Sequence, residues 1–215
     1  IKIDHSNWDF EEIYKIKSDY EQKIKQNIEN EDMWNGIMWP RKLVSDVREI
    51  MQKDDIVALD NGLYKVWFAR NYICYEPNTL LLDNALASMW AGYSSWLEAK
   101  RIHREKNIVV ITWDGWLVMN LWDLETIVRL KLDLTIVVLN NNSYGMIKWK
   151  QVWAAMPMWG RDFWNPDFVK LAESFGWIGY KVENKDDFKW VLEKANKEKW
   201  LKIIDLKFEY PQEIN

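Results

Sequence analysis

One cysteine, Cys74, is the only thiol in this chain of 215 residues. No internal disulfide can form, which suits a reducing compartment. Nothing beside Cys74 marks a reactive thiol, so it reads as a small apolar filler. The two histidines, His5 and His103, stand far apart, and a histidine-based metal cluster is excluded. Ser94-Ser95 has no histidine near it, which argues against a nucleophilic triad. No run approaches the roughly 18–20 apolar residues of a membrane span. No charged-then-apolar leader marks a secretory signal. Neither a Gly-x-Gly-x-x-Gly after a strand nor a Gly-x-x-x-x-Gly-Lys-Ser/Thr is present, so dinucleotide and P-loop sites are not expected. A net charge of −4, with lysine and glutamate interspersed, argues against a general nucleic-acid surface. Internal repeats and low-complexity tracts are also missing. Glycine is scarce at 8 residues, when about 7% is ordinary. Tryptophan, usually the rarest residue, numbers 16.

What remains is a soluble, globular composition, 48% apolar and 29% charged, with length for one sizeable core. The first residue is Ile rather than Met, and we read the chain as a fragment or a processed segment of a cytoplasmic protein. Spaced apolar residues from Asp9 to Asn30 predict an amphipathic leader helix, and a linker closes a first region at residues 1–35. Residues 36–215 form the main domain. Pro40 is placed to start a helix. Ile56–Leu59, Leu80–Leu82, Ile108–Ile111, Ile136–Val138, Tyr180–Val182 and Ile203–Leu206 read as strands. Helices are expected over Ala85–Ile102, Leu117–Leu130, Phe168–Phe175 and Phe188–Ala195. Val152–Trp164 has no clean period. This alternation predicts an α/β fold, doubly wound, with a mostly parallel sheet and helices on both faces.

Two loops carry the chemistry. Trp113-Asp114-Gly115 follows one buried strand and Asn140-Asn141-Asn142-Ser143 follows the next. Ligands of doubly wound sheets bind outside such C-terminal strand ends. Asp114 and Asn141 are one strand–helix–strand unit apart and can point oxygens at one ion. A carboxylate, an amide oxygen and a backbone carbonyl make a hard ligand set of the kind Mg²⁺ takes, completed by water and phosphate. The competing reading is two ordinary turns, since Asp, Asn and Gly are common turn residues.

The same segments resemble the C-terminal, diphosphate-binding domain of thiamine-diphosphate enzymes, most closely acetolactate synthase. The family's Gly-Asp-Gly and Asn-Asn correspond to Trp113-Asp114-Gly115 and Asn140-Asn141. Asp60–Tyr72, Ala87-Ser88-Met89-Trp90-Ala91, Tyr144–Gln151 and Asn165-Pro166-Asp167-Phe168 resemble further family segments, over about Asn35 to Phe208. The resemblance implies a thiamine-diphosphate-binding fold with thiamine diphosphate and Mg²⁺ as cofactors. Asp114, Asn141 and the Ser143 carbonyl would hold the metal. Backbone amides around Gly115 and Trp116 would meet the diphosphate. The Ala87 carbonyl would take the cofactor's amino group, Met89 would bend the cofactor, and Met146 would line the reaction side. The implied activity is a carboligase or decarboxylase acting on 2-oxo acids such as pyruvate, as in branched-chain amino acid biosynthesis. The family's proton-relay glutamate lies on an N-terminal pyrimidine-binding domain, often across a homodimer or homotetramer interface. No catalytic residue is therefore assigned to these 215 residues, and the chain is not expected to be active alone. The alternative is a doubly wound domain that has lost the cofactor and serves assembly or regulation.

Trp113, Trp90, Trp122 and Trp164 stand where that family usually has glycine, and Trp116 where it has a small residue. An indole at 113 or 116 competes with the diphosphate for space. Decay of the site would remove Asp114 and Asn141 too. The intact motif letters instead favour glycine replaced by tryptophan through engineering, or in the recorded letters. Intact mass spectrometry reads that directly.

Overall fold

Aliphatic and β-branched runs become strands because such side chains pack well on a pleated surface covered from both sides. The computed structural model describes residues 10–31, 38–83 and 91–209. The strands are β1 (Ile56–Leu59), β2 (Leu80–Leu82), β3 (Ile108–Trp113), β4 (Thr135–Asn140), β5 (Ile178–Val182) and β6 (Lys202–Lys207). They make one six-stranded sheet in the order β2-β1-β3-β4-β6-β5. Every neighbouring pair is parallel.

The helices are α1 (Phe10–Glu31), α2 (Pro40–Ile50), α3 (Tyr64–Asn71), α4 (Ala91–Ile102), α5 (Asp114–Met119), α6 (Leu124–Leu130), α7 (Gly145–Trp153), α8 (Phe168–Ser174) and α9 (Lys185–Lys197). Strand residues alternate between two cores, as the pleat requires. Val57, Val109, Val137 and Ile204 pack with Leu43, Phe68 and Phe188 of α2, α3 and α9. Ile56, Ile108, Ile136 and Ile203 pack with Trp96, Ile127 and Phe168 of α4, α6 and α8. Helices thus cover both faces, and the doubly wound α/β expectation holds. Chain contacts divide the molecule into Ile1–Asn35 and Gly36–Asn215. In the first unit, Phe10, Ile13, Tyr14, Ile16 and Tyr20 of α1 are exposed.

Local signals explain three helix starts. Pro40 opens α2, where its missing N–H has no intrahelical role. The Asp167 carboxylate caps α8 by accepting from the Val169 and Lys170 amides, both at 3.1 Å. Asn184 caps α9 through the Asp186 amide.

Four expectations need correction. The single helix expected over Leu117–Leu130 is two helices and a 3₁₀ turn at Leu121–Asp123. Asn120 breaks it: its backbone leaves helical geometry (φ −130°, ψ 25°), and its side chain donates to the Trp116 carbonyl at 2.8 Å. α9 begins at Lys185, not Phe188. Val152 and Trp153 finish α7, and the rest of the unpatterned segment returns to bridge Asp162 with Ser143. Cys74 is exposed and is no core filler.

Trp200, just before β6, has φ +86° and is half exposed. A bulky side chain in that region carries about 1–3 kcal/mol of strain, against up to about 1 kcal/mol for glycine's extra freedom when unfolded. Trp200→Gly is expected to raise stability by about 1 kcal/mol and the melting midpoint by roughly 2–4 °C. Thermal denaturation followed by circular dichroism checks this. A lower midpoint would mean that indole packing beside Trp177 outweighs the strain.

Candidate functional site

The sheet order creates the site. β1 pairs with both β2 and β3, so the chain leaves β1 in one direction, reaches β2, then crosses back to β3 on the other side. The crevice between β1 and β3 is the topological switch point, where open α/β sheets bind ligands. A cavity of about 730 Å³ lies there. The segment after β1 contributes Asn61, Gly62 and Lys65, the end of β3 and the segment after it contribute Trp113 to Trp116, and the segment after β4 contributes Ser143 to Ile147.

Asp114 is the centre of the polar wall and is fully buried. One carboxylate oxygen accepts from the Asn141 amide at 3.0 Å, the Asn142 amide at 2.7 Å and the Asn165 side-chain amide at 2.8 Å. Among the described residues the other accepts only from the Gly115 amide, at 2.8 Å, and keeps a lone pair in hand. Asn142 itself has a φ of +53°, a left-handed conformation that asparagine tolerates better than most residues. Burial pushes the Asp114 carboxyl above the usual aspartate range, while the hydrogen bonds from Asn165, Gly115, Asn142 and Asn141 pull it back.

The Asn141 side-chain oxygen accepts from the Ser143 amide at 3.2 Å, forming a tight turn beside the carboxylate. Ser143 is buried, and among the described residues its hydroxyl has no partner. A buried hydroxyl left alone is costly, and here it lines the cavity. The three expected metal ligands therefore share one corner: Asp114 contacts the Asn141 backbone directly, and Asn141 contacts Ser143. No group of three His, Cys, Asp or Glu residues suited to a metal occurs among the described residues. A cation here would rely on mixed carboxylate, amide and carbonyl oxygens, the set that hard divalent ions accept.

Of the expected cofactor contacts, Gly115, Trp116 and Met146 line the cavity. The Gly115 amide is engaged by Asp114. A Cβ at Gly115 would stand 2.9 Å from Phe163 and 3.0 Å from Tyr144, so glycine there permits the close packing of those rings. Ala87 and Met89 lie outside the described residues. Lys150 lines the rim, while Lys148 is solvated.

Asn165 is the residue that sequence reasoning missed as part of the site. Its side-chain amide reaches Asp114, Asn140 at 2.9 Å and Asn142 at 3.0 Å, clamping both loops. The Asn-Pro-Asp letters mark a helix start, but nothing in them says that the preceding segment folds back. Tyr144 donating to the Arg161 carbonyl and Phe163 to the Asn142 carbonyl bring it there.

Comparisons with known proteins agree with this geometry. The family described as thiamine pyrophosphate enzyme, C-terminal TPP binding domain, matches residues 60–206. Acetolactate synthase of Bacillus subtilis (strain 168) is 29% identical over 202 residues, covering 94% of this chain and 35% of that protein. The acetolactate synthase large subunit of Haemophilus influenzae is 30% identical over 166 residues, covering 76% of this chain and 29% of that protein. The chain thus spans about a third of such relatives. In fold, the thiamine diphosphate-dependent 4-hydroxybenzoylformate decarboxylase of Rhodococcus jostii RHA1 superposes with a TM-score of 0.74 at 19% identity, covering 84% of this chain and 34% of the other. An all-parallel doubly wound sheet, a carboxylate and an asparagine loop meeting at its switch point, and a family match across most of the domain lead to one conclusion: the chain belongs to the thiamine pyrophosphate enzymes, as their C-terminal TPP-binding domain.

Proposed function

We propose that this domain holds thiamine diphosphate through Mg²⁺ as one half of the active site of an acetolactate-synthase-like carboligase or decarboxylase acting on 2-oxo acids such as pyruvate. The observation that carries the reading is the buried Asp114 carboxylate, clamped by four donors yet with one oxygen still able to accept more. The donor set suits a small hard cation: Asp114 and Asn141 would bind through side-chain oxygens and Ser143 through its carbonyl, with the rest supplied by water and phosphate. When bound, thiamine diphosphate supplies a carbon nucleophile for the 2-oxo acid carbonyl and an electron sink for decarboxylation. The chain's own residues bind and orient. Asn165 and the Asn141–Asn142 amides fix the carboxylate so that little reorganisation is needed on loading. Trp116 and Met146 give the cavity beside it an apolar lining.

The remaining parts are proposed for the longer protein of which this domain is a part: an N-terminal pyrimidine-binding domain, across a homodimer or homotetramer interface, completes the catalyst. A cytoplasmic location accords with one unpaired cysteine. No described helix is long and apolar enough to cross a membrane. The family match does not favour the non-catalytic, assembly-only alternative.

Thermal shift at millimolar thiamine diphosphate tests the reading. Stabilisation is expected with Mg²⁺ and not with a chelator, since a ligand that binds only the folded state raises the midpoint. Equal shifts with and without metal would sink the metal-mediated scheme.

The raised Asp114 carboxyl sets a pH dependence. Its charged form is disfavoured by burial in the metal-free domain, so protonation relieves that cost as pH falls through the raised value. Metal needs the carboxylate and competes with that proton. Mg²⁺-dependent affinity is therefore expected to fall on acidification before the ordinary aspartate value of about 3.9 is reached. Titrations from neutral pH downward check this. An affinity that stays flat into that ordinary range would contradict it.

A further inference from the structure

We propose that the indole of Trp113 occupies the diphosphate end of this cavity, and that position 113 is one this fold builds for glycine. The proposal rests on the cofactor reading above. Trp113 ends β3, immediately precedes Asp114 and lines the cavity. The ring reaches across to the segment after β1, where its Nε1 would lie 1.9 Å from a Cβ built on Gly62. It is 6% exposed, and Tyr64 and Phe208 meet it edge-on at centroid distances of 5.3 and 5.7 Å.

Gly62 shows what that space is for. Its φ lies outside the left-handed region, so the backbone conformation there does not demand glycine. What remains is close approach, the other use of glycine beside ligands. The same wall carries Lys65, whose ammonium is held by the Asn61 side-chain oxygen and the Asp83 carbonyl. Both partners are neutral oxygens, so they orient the cation without cancelling its charge. A cation corner at Asp114, a bare backbone at Gly62 and an ammonium at Lys65 together make a cradle for a metal-bound diphosphate, and the indole of Trp113 stands in it. Trp200 repeats the pattern independently, with a bulky ring at φ +86° where glycine has no steric penalty.

Calorimetric titration of the full chain with thiamine diphosphate and Mg²⁺ tests this. Trp113→Gly is expected to bind at least tenfold tighter than the parent. Trp113→Phe, which keeps a ring in place, is expected to match the parent. Because emptying a packed position can unfold a domain, Trp113→Ala is measured alongside, with circular dichroism confirming the fold and an intermediate gain expected. Equal, measurable binding by the parent and the folded glycine and alanine variants would overturn the plug and leave the cofactor reading intact. No binding by any of them would overturn both.

Discussion

Asp114→Ala is expected to abolish metal-dependent thiamine diphosphate binding and to destabilise the domain. The two losses have separate causes. For binding, the variant removes the only carboxylate of the proposed ligand set, leaving neutral oxygens that hold a divalent ion poorly. For stability, it strands the amides of Gly115, Asn141 and Asn142, while the Asn165 side-chain amide keeps Asn140 and Asn142 as acceptors. A buried donor without a partner costs about 1–3 kcal/mol. Water entering the cavity re-satisfies part of this, so a net loss of about 3 kcal/mol is expected. That corresponds to a midpoint lower by roughly 6–12 °C for a chain of this size. Asp114→Asn separates the effects: it restores one acceptor and removes the burial penalty of the charge, so most stability returns while metal binding does not. Thermal melts and titrations of both variants check this. Retained metal dependence in Asp114→Asn would move the ion elsewhere.

Asn165→Ala is expected to weaken Mg²⁺-dependent binding by about 10–100-fold, the usual range for a residue that orients a metal ligand. Asn165 would not touch the ion. It donates to the carboxylate oxygen that also receives the Asn141 and Asn142 amides, and to the Asn140 and Asn142 side chains. Without it, the carboxylate loses one of its four donors and the two loops lose their tie. A purely structural role predicts a lower midpoint with unchanged metal affinity. The orienting role predicts a fall in affinity measured well below the midpoint, where both proteins are folded. Asn165→Asp is a further check. A second carboxylate beside Asp114 raises the proton affinity of the pair, so the pH at which metal is lost should move upward.

The readable parts of this molecule are those with short-range physical causes. The strands were legible because β-branched runs bounded by polar turns have few other stable arrangements in a chain with helical spacers. Asp114 and Asn141 were legible as a pair because each directly follows such a run, and parallel pairing of β3 with β4 brings their loops side by side. The helix over Leu117–Leu130 was misread because Leu, Val and Ile keep a helical period across Asn120, while a single side-chain-to-backbone bond breaks the backbone there. Cys74 was misplaced because residue type predicts burial only on average, and the chain has already left α3 at that point.

Local patterning and turn chemistry in the amino-acid order were enough to specify a parallel α/β sheet and to identify the two loops at its carboxyl edge. Three things depended on the folded molecule: the return of Asn165 over Asp114, the convergence of the Asn141 and Asn142 amides on one Asp114 oxygen, and the seating of the Trp113 ring against Gly62. Each joins residues from different segments. Packing of the whole domain sets such long-range contacts, and no window of sequence contains that information.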